Sequence, residues 1–132
     1  DLKNPAQAIK EIYRVLKPGG YGILSVPQSS ELHDEPNDYW RFTKYGIGVL
    51  LSDAGLKVIE ILPRGGFWTL KAQITARYFI DLLGLYNRKF IGQLFNLIFF
   101  ICGRTAMWLD AIDKSRANHK HTIGWLVLFK KP

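Results

Sequence analysis

The sequence predicts an α/β domain. Helix-period and strand-period segments alternate over the first half of the chain. The last segment, TIGWLVLFKK, is apolar on both faces, as a central strand is. With 132 residues, 48% of them hydrophobic and 14% aromatic, the chain can bury one core and is not disordered.

The elements follow in order. In NPAQAIKEIYRVLKPGG, Asn4 is the expected N-cap and Pro5 sits at the first helical position, where its missing N–H leaves no bond unmade. Ile9, Ile12, Tyr13 and Leu16 share a face, Gly19 and Gly20 are read as the left-handed stop, and Lys17 lies near the negative helix end. YGILSVP reads as a strand over residues 21–26, ended by Pro27. Residues 28–43 are polar and turn-rich, a loop of about 16 residues, a length that tends to be functional. Thr43 can cap the next helix, KYGIGVLLSDAGL, which Gly55 stops. KVIEIL alternates and reads as a strand closed by PRGG. Helices alternating with strands imply a parallel sheet, whose ligand crevice lies beyond the C-terminal strand ends. The loop 28–43 leaves from that edge. Further on, TLKAQITARYFIDLLG reads as a helix with Thr69 as cap and Gly84 as stop, RKFIGQLFNLIFFICGRTAMWLDAID as a longer apolar helix, and KSRANHKH as a loop. No repeat or low-complexity segment is present.

The 18 Lys and Arg against 11 Asp and Glu leave a net charge of +7. That balance suits nucleic acid, an anionic membrane surface or an acidic substrate, and equally an ordinary basic protein. The positive charges are scattered and match no nucleic-acid-binding fold, so no nucleic acid is expected. Cys102 is the single cysteine, which excludes a disulfide framework and a cysteine-based zinc site and points to a reducing compartment. The polar start DLKNPAQAIK carries no secretory signal. It also lacks Met and enters a helix within a few residues, which predicts a fragment whose first half is missing.

EIYRVLKPGGYGILSVP followed by AGLKVIEI resembles the C-terminal half of a class I S-adenosylmethionine-dependent methyltransferase of the type 11 kind. Glu11, Arg14, Val15, Leu16, Lys17, Pro18, Gly19 and Gly20 match the family's E-x-x-R-V-L-K-P-G-G turn. Residues 21–26 match its fifth strand, Ala54, Gly55 and Leu56 the helix end before its sixth, and WLVLFKKP its last strand. The resemblance covers most of residues 1–65 and 122–132. It implies a Rossmann-like sheet, with strands five to seven present and the last one antiparallel between the other two. Residues 1–68 and 122–132 would form the sheet and its helices, with a helical insertion at 69–121. It implies methyl transfer from S-adenosylmethionine as the parent protein's activity. The family's glycine-rich cofactor loop and its acidic partner have no match, so the chain alone is expected to be inactive and to bind the cofactor poorly or not at all. The Pro-Gly-Gly turn is itself punctuation: it reverses the chain from helix to strand.

Methyl transfer is an in-line displacement that needs alignment and, for some acceptors, a base. The segment SSELHDEPNDYWRFT resembles a family segment lying over the acceptor pocket. His33 is the base candidate, against an exposed loop histidine; Asp34 could orient it or act alone, against a turn or cap role. Asp38 and Arg41 pair with each other or, in the functional reading, Arg41 clamps a carboxylate or phosphate. Tyr39 and Trp40 wall the pocket or face the sulfonium, while Phe42 plugs into the core; the competing reading has all three aromatics simply anchoring the loop. His119 and His121 alone are a weak metal signal, and no metal is expected. Arg64, in the PRGGFW turn at the same sheet edge, is a further substrate candidate.

Residues 90–109 are long enough to cross a bilayer, but Gln93, Asn96 and Arg104 interrupt them. These helices either cover the sheet or lie in a membrane interface, flanked by Arg88, Lys89 and Trp108. The expected acceptor is a small molecule or a lipid or glycan, and the expected location is cytoplasmic; the second choice suits a lipid-linked or envelope-glycan acceptor and a peripheral place at the inner membrane face. The rival to the enzyme is a non-catalytic α/β module that docks on a membrane or partner.

Overall fold

The computed structural model describes residues 3–87 and 89–132. They form a mixed α/β structure of two compact units: residues up to Arg64 with Gly124–Pro132, and Gly65–Ile123.

The first unit holds α1 (Pro5–Val15), β1 (Tyr21–Pro27), α2 (Lys44–Asp53), β2 (Lys57–Pro63) and β3 (Gly124–Lys130). The Asn4 side chain accepts from the Gln7 amide at 3.1 Å, the expected cap. The glycines do not stop α1. It ends at Leu16, whose backbone is extended, because Pro18 disfavours the helical region for Lys17. Residues 17–20 then make a separate turn: Gly20 N–H bonds the Lys17 carbonyl at 2.9 Å, and Gly19 takes φ 77°. The free carbonyls of α1 are served from the far end of the chain. Lys131 Nζ donates to those of Tyr13 (2.8 Å) and Leu16 (2.9 Å) and lies 4.2 Å from the Tyr13 ring centre.

Thr43 caps α2 by accepting from Gly46 N–H at 3.0 Å, and Gly55 (φ 83°) ends it, with Leu56 N–H reaching back to the Leu51 carbonyl. The sheet order is β1-β3-β2, and both ladders are antiparallel. The helix–strand alternation predicted a parallel sheet. β1 and β2 do run the same way, and β3 enters between them in the opposite direction, the place and direction expected of the last strand, so neither bonds the other. Val26 faces Trp125, and Ile61 faces Val127, with an irregularity between Val58 and Glu60. One sheet face packs under α1 and α2 in a core of Ile9, Val26, Ile47, Leu51, Leu56, Trp125, Val127 and Phe129. Burying Leu51 or Val127 completely is worth about 2 kcal/mol each. Tyr21, Ile23 and Leu126, on the other face, are exposed.

The second unit holds α3 (Phe67–Leu82), a 3₁₀ turn (Leu85–Asn87), α4 (Lys89–Ile112) and α5 (Arg116–His119). Arg88, expected as a basic flank of α4, lies outside the described residues. Thr69 is not the cap of α3, and residues 114–121 are not wholly loop, since Ser115 caps the single turn α5. α3 starts earlier, with Gly66 as N-cap and no cap of its own. Two residues distant in sequence supply one. Asp110 accepts from the amides of Gly66 (2.8 Å), Trp68 (3.1 Å) and Thr69 (3.1 Å), and Asn118 Oδ1 from Phe67 (2.7 Å). The otherwise orphaned donors of the helix start are thereby paired. Burial of Asp110 opposes its ionisation, but the bonds from Thr69, Gly66 and Trp68 outweigh it and hold its pKa below the ordinary value. A side chain at Gly66 would collide with Asn118 and Asp110.

Candidate functional site

The loop 28–43 is closed at its base by Phe42 N–H bonding the Pro27 carbonyl at 2.8 Å. Trp125, in the central strand, donates Nε1–H to Gln28 Oε1 at 2.8 Å and pins the loop's first residue. Inside the loop Arg41 is the staple. Its four terminal N–H groups point at Asp38 Oδ1 (2.5 Å) and Oδ2 (2.6 Å) and at the carbonyls of Trp40 (3.0 Å) and Glu31 (2.9 Å). The structure therefore pairs Asp38 with Arg41 and leaves none of those four donors for a substrate carboxylate or phosphate. The hydrogen bond from Arg41 outweighs desolvation and, with the His33 amide, holds Asp38 down to a pKa of about 2.

The acid beside His33 is Asp38, not Asp34. His33 Nδ1 lies 3.2 Å from Asp38 Oδ2 and 3.2 Å from the Glu31 carbonyl, and its amide bonds Asp38 Oδ2 at 3.3 Å. Both neighbours of Nδ1 accept only, so the proton of neutral His33 belongs on Nδ1, and Nε2 keeps its lone pair. The ring is half exposed. Asp34 gives its backbone carbonyl to the Asn37 amide in a tight turn (2.6 Å). Tyr39 donates its hydroxyl to Asn37 Oδ1 at 2.9 Å.

The three aromatics divide. Trp40 and Phe42 stack, with ring centres 6.3 Å apart, and line a cavity of about 700 Å³ with Lys3–Ala6 at the start of α1 and Tyr45, Gly46, Val49 and Leu50 of α2. Tyr39 is not part of its lining. Phe42 does pack against the core, as expected, and its ring also forms cavity wall. Tyr45 and Val49 escaped the sequence reading, although their spacing of four residues puts them on one helix face. The cavity lies between the start of α1 and α2, and its wall residue Phe42 is tied by its amide to Pro27, the last residue of β1. His33, Asp34, Asp38 and Arg41 are not in its lining.

A scan of known protein families and a search of curated proteins both give no match to this chain. Arg64 donates to Ser25 Oγ (3.0 Å), and its amide bonds the Gly124 carbonyl, so it helps close the sheet edge. His121 sets its ring edge against Phe67, ring centres 5.4 Å apart. Among the described residues no cluster of three or more His, Cys, Asp or Glu is arranged to hold a metal.

Proposed function

We propose that this chain is the acceptor-side part of a class I S-adenosylmethionine-dependent methyltransferase. The observation that carries the reading is the aromatic cavity between the start of α1 and α2, whose wall residue Phe42 is tied to the C-terminal end of β1, the sheet edge at which α/β folds bind ligands. The matched helix-turn-strand segment around Pro18-Gly19-Gly20 supports it. The residues present do not fit the cofactor itself: the cavity lining holds no carboxylate for ribose hydroxyls, and the glycine pair between β2 and α3, Gly65-Gly66, lacks the G-x-G-x-G pattern and has its helix-start amides taken by Asp110 and Asn118. The cofactor-binding half is therefore assigned to sequence outside these residues.

The chain's own contribution is acceptor binding. Trp40, Phe42, Tyr45 and Val49 offer an apolar, aromatic pocket wall that excludes water from a flat or aliphatic acceptor. His33, held through Nδ1 by Asp38 and the Glu31 carbonyl, lies outside the cavity lining, and no proton transfer is assigned to it for an acceptor bound there. The second reading, a docking module without catalysis, is favoured by the exposed apolar side of α4.

Calorimetry with S-adenosylmethionine separates the readings. The expected result is no binding to this chain and binding to a protein that joins it to a glycine-rich loop. Binding by the 132 residues alone would overturn the assignment of the cofactor site, and absence of methyl transfer by the larger protein would overturn the activity. In that larger protein Trp40→Ala is expected to lower methyl transfer far more than it lowers the melting temperature, because Trp40 is 46% exposed and contributes little to the core. Equal losses would make Trp40 a loop anchor.

A further inference from the structure

We propose that the outer face of α4 docks on an anionic lipid bilayer, lying in the plane of the interface. The inference is independent of the methyltransferase reading.

α4 has 24 residues, and the stretch Gly92–Ile112 has a mean hydropathy of 1.3, yet only 6% of it is buried. Helices this apolar in water-soluble cores are mostly covered by protein. α4 is covered on one side, where Ala106 is buried and Asp110 caps α3. On the other side Leu94, Leu97, Ile101, Trp108 and Ile112 are each between 55% and 61% exposed. Their spacing of three, four, seven and four residues puts them on one face, a stripe about 27 Å long, on which Arg104 and Thr105 occupy the turn between Ile101 and Trp108. The hydroxyl on this face is internally satisfied, as a non-aqueous setting requires: Thr105 Oγ1 donates to the Ile101 carbonyl at 3.0 Å.

Charge names the occupant. Trp108 lies one turn before the end of the stripe at Ile112, and after Asp113, which accepts from Trp68 and Ser115, come exposed Lys114, Arg116 and Lys120, the apolar, aromatic and basic groups that an interfacial helix presents. The chain carries +7 overall, which attracts anionic headgroups and repels a second copy of itself. Arg104, exposed, lies within this face between Ile101 and Trp108. Against a second copy its charge would be desolvated, whereas in a bilayer interface its long stem reaches the headgroups. The same charge argues against crossing the bilayer and for lying in its surface.

The test uses the 132-residue chain with vesicles of phosphatidylcholine alone or mixed with phosphatidylglycerol, at low salt. Sedimentation with the anionic vesicles is expected, with tryptophan quenching by brominated acyl chains that disappears in Trp108→Phe. Leu97→Asp combined with Ile101→Asp, both on the exposed stripe, is expected to weaken partitioning by at least about tenfold with the far-UV spectrum unchanged. Should that variant misfold, the Trp108-dependent quenching in the unaltered chain decides the matter. Three results would overturn the proposal: a chain that stays in the supernatant, adsorption without Trp108-dependent quenching, or a dimer that Ile101→Asp dissociates.

Discussion

Asp110→Ala is expected to unfasten the start of a helix more than forty residues away. In the folded chain one carboxylate serves three amides of α3, at 2.8, 3.1 and 3.1 Å, and sits at the positive end of the helix. A charged acceptor contributes about 1.5–3 kcal/mol for a single bond at most, and an ordinary N-cap about 1. Water replaces part of this at a half-buried helix end, and Asn118 still holds Phe67. The net loss is about 2–3 kcal/mol. For a chain of this length that lowers the melting midpoint by roughly 8–12 °C, read by far-UV circular dichroism. Asp110→Asn keeps one acceptor oxygen without the charge and should lose about half as much. The pH dependence carries the same signature. The Asp110 pKa is depressed in the folded state, so its contribution is complete above the ordinary carboxylate range and fades as pH falls through the lower folded value. The gap between wild type and Asp110→Ala should therefore close in acid. An unchanged midpoint, or a gap that persists undiminished in strong acid, would refute the capping argument.

Three further outcomes are expected. Asp38 should titrate near pH 2 by carbon-detected NMR, and the order it lends the loop should be present above about pH 4 and lost as pH falls through 2; in Arg41→Ala its pKa should return toward the ordinary value. Lys131→Ala should destabilise the first unit by about 1 kcal/mol in urea unfolding, because two α1 carbonyls and the Tyr13 ring lose their cation. Gly22→Ala should cost about 1–3 kcal/mol in the same assay, since the added methyl would meet the buried Phe129 ring; pairing it with Phe129→Leu should recover part of the loss.

Much of the first unit was legible in the residues. Asn4, Thr43 and Gly55 act within four residues of their own position, so their roles as caps and stop are local chemistry that a pattern can carry. The same holds for β1, β2 and the central place of β3, whose apolar run betrays burial. The loop 28–43 was legible as a loop and as a stretch too aromatic for mere solvent. Of its pairings, Asp38 with Arg41 was legible from their spacing of three. That Asp38 also takes His33, and that Trp40 and Phe42 turn to the cavity while Tyr39 bonds Asn37, was not. Neighbours in sequence compete for the same partners there, and backbone direction decides which side chain reaches which acceptor.

Locally encoded structure is thus what the sequence determined by itself: helix and strand extents, caps made by the adjoining residue, and an α/β order of elements. Tertiary structure alone decided the contacts that join distant positions. Asp110 and Asn118 cap α3, Lys131 closes α1, and Trp125 pins Gln28 across 97 residues. No spacing rule links such pairs, because what brings them together is the burial of apolar faces elsewhere in the chain. The polar side chains then satisfy whichever backbone groups that packing leaves unpaired.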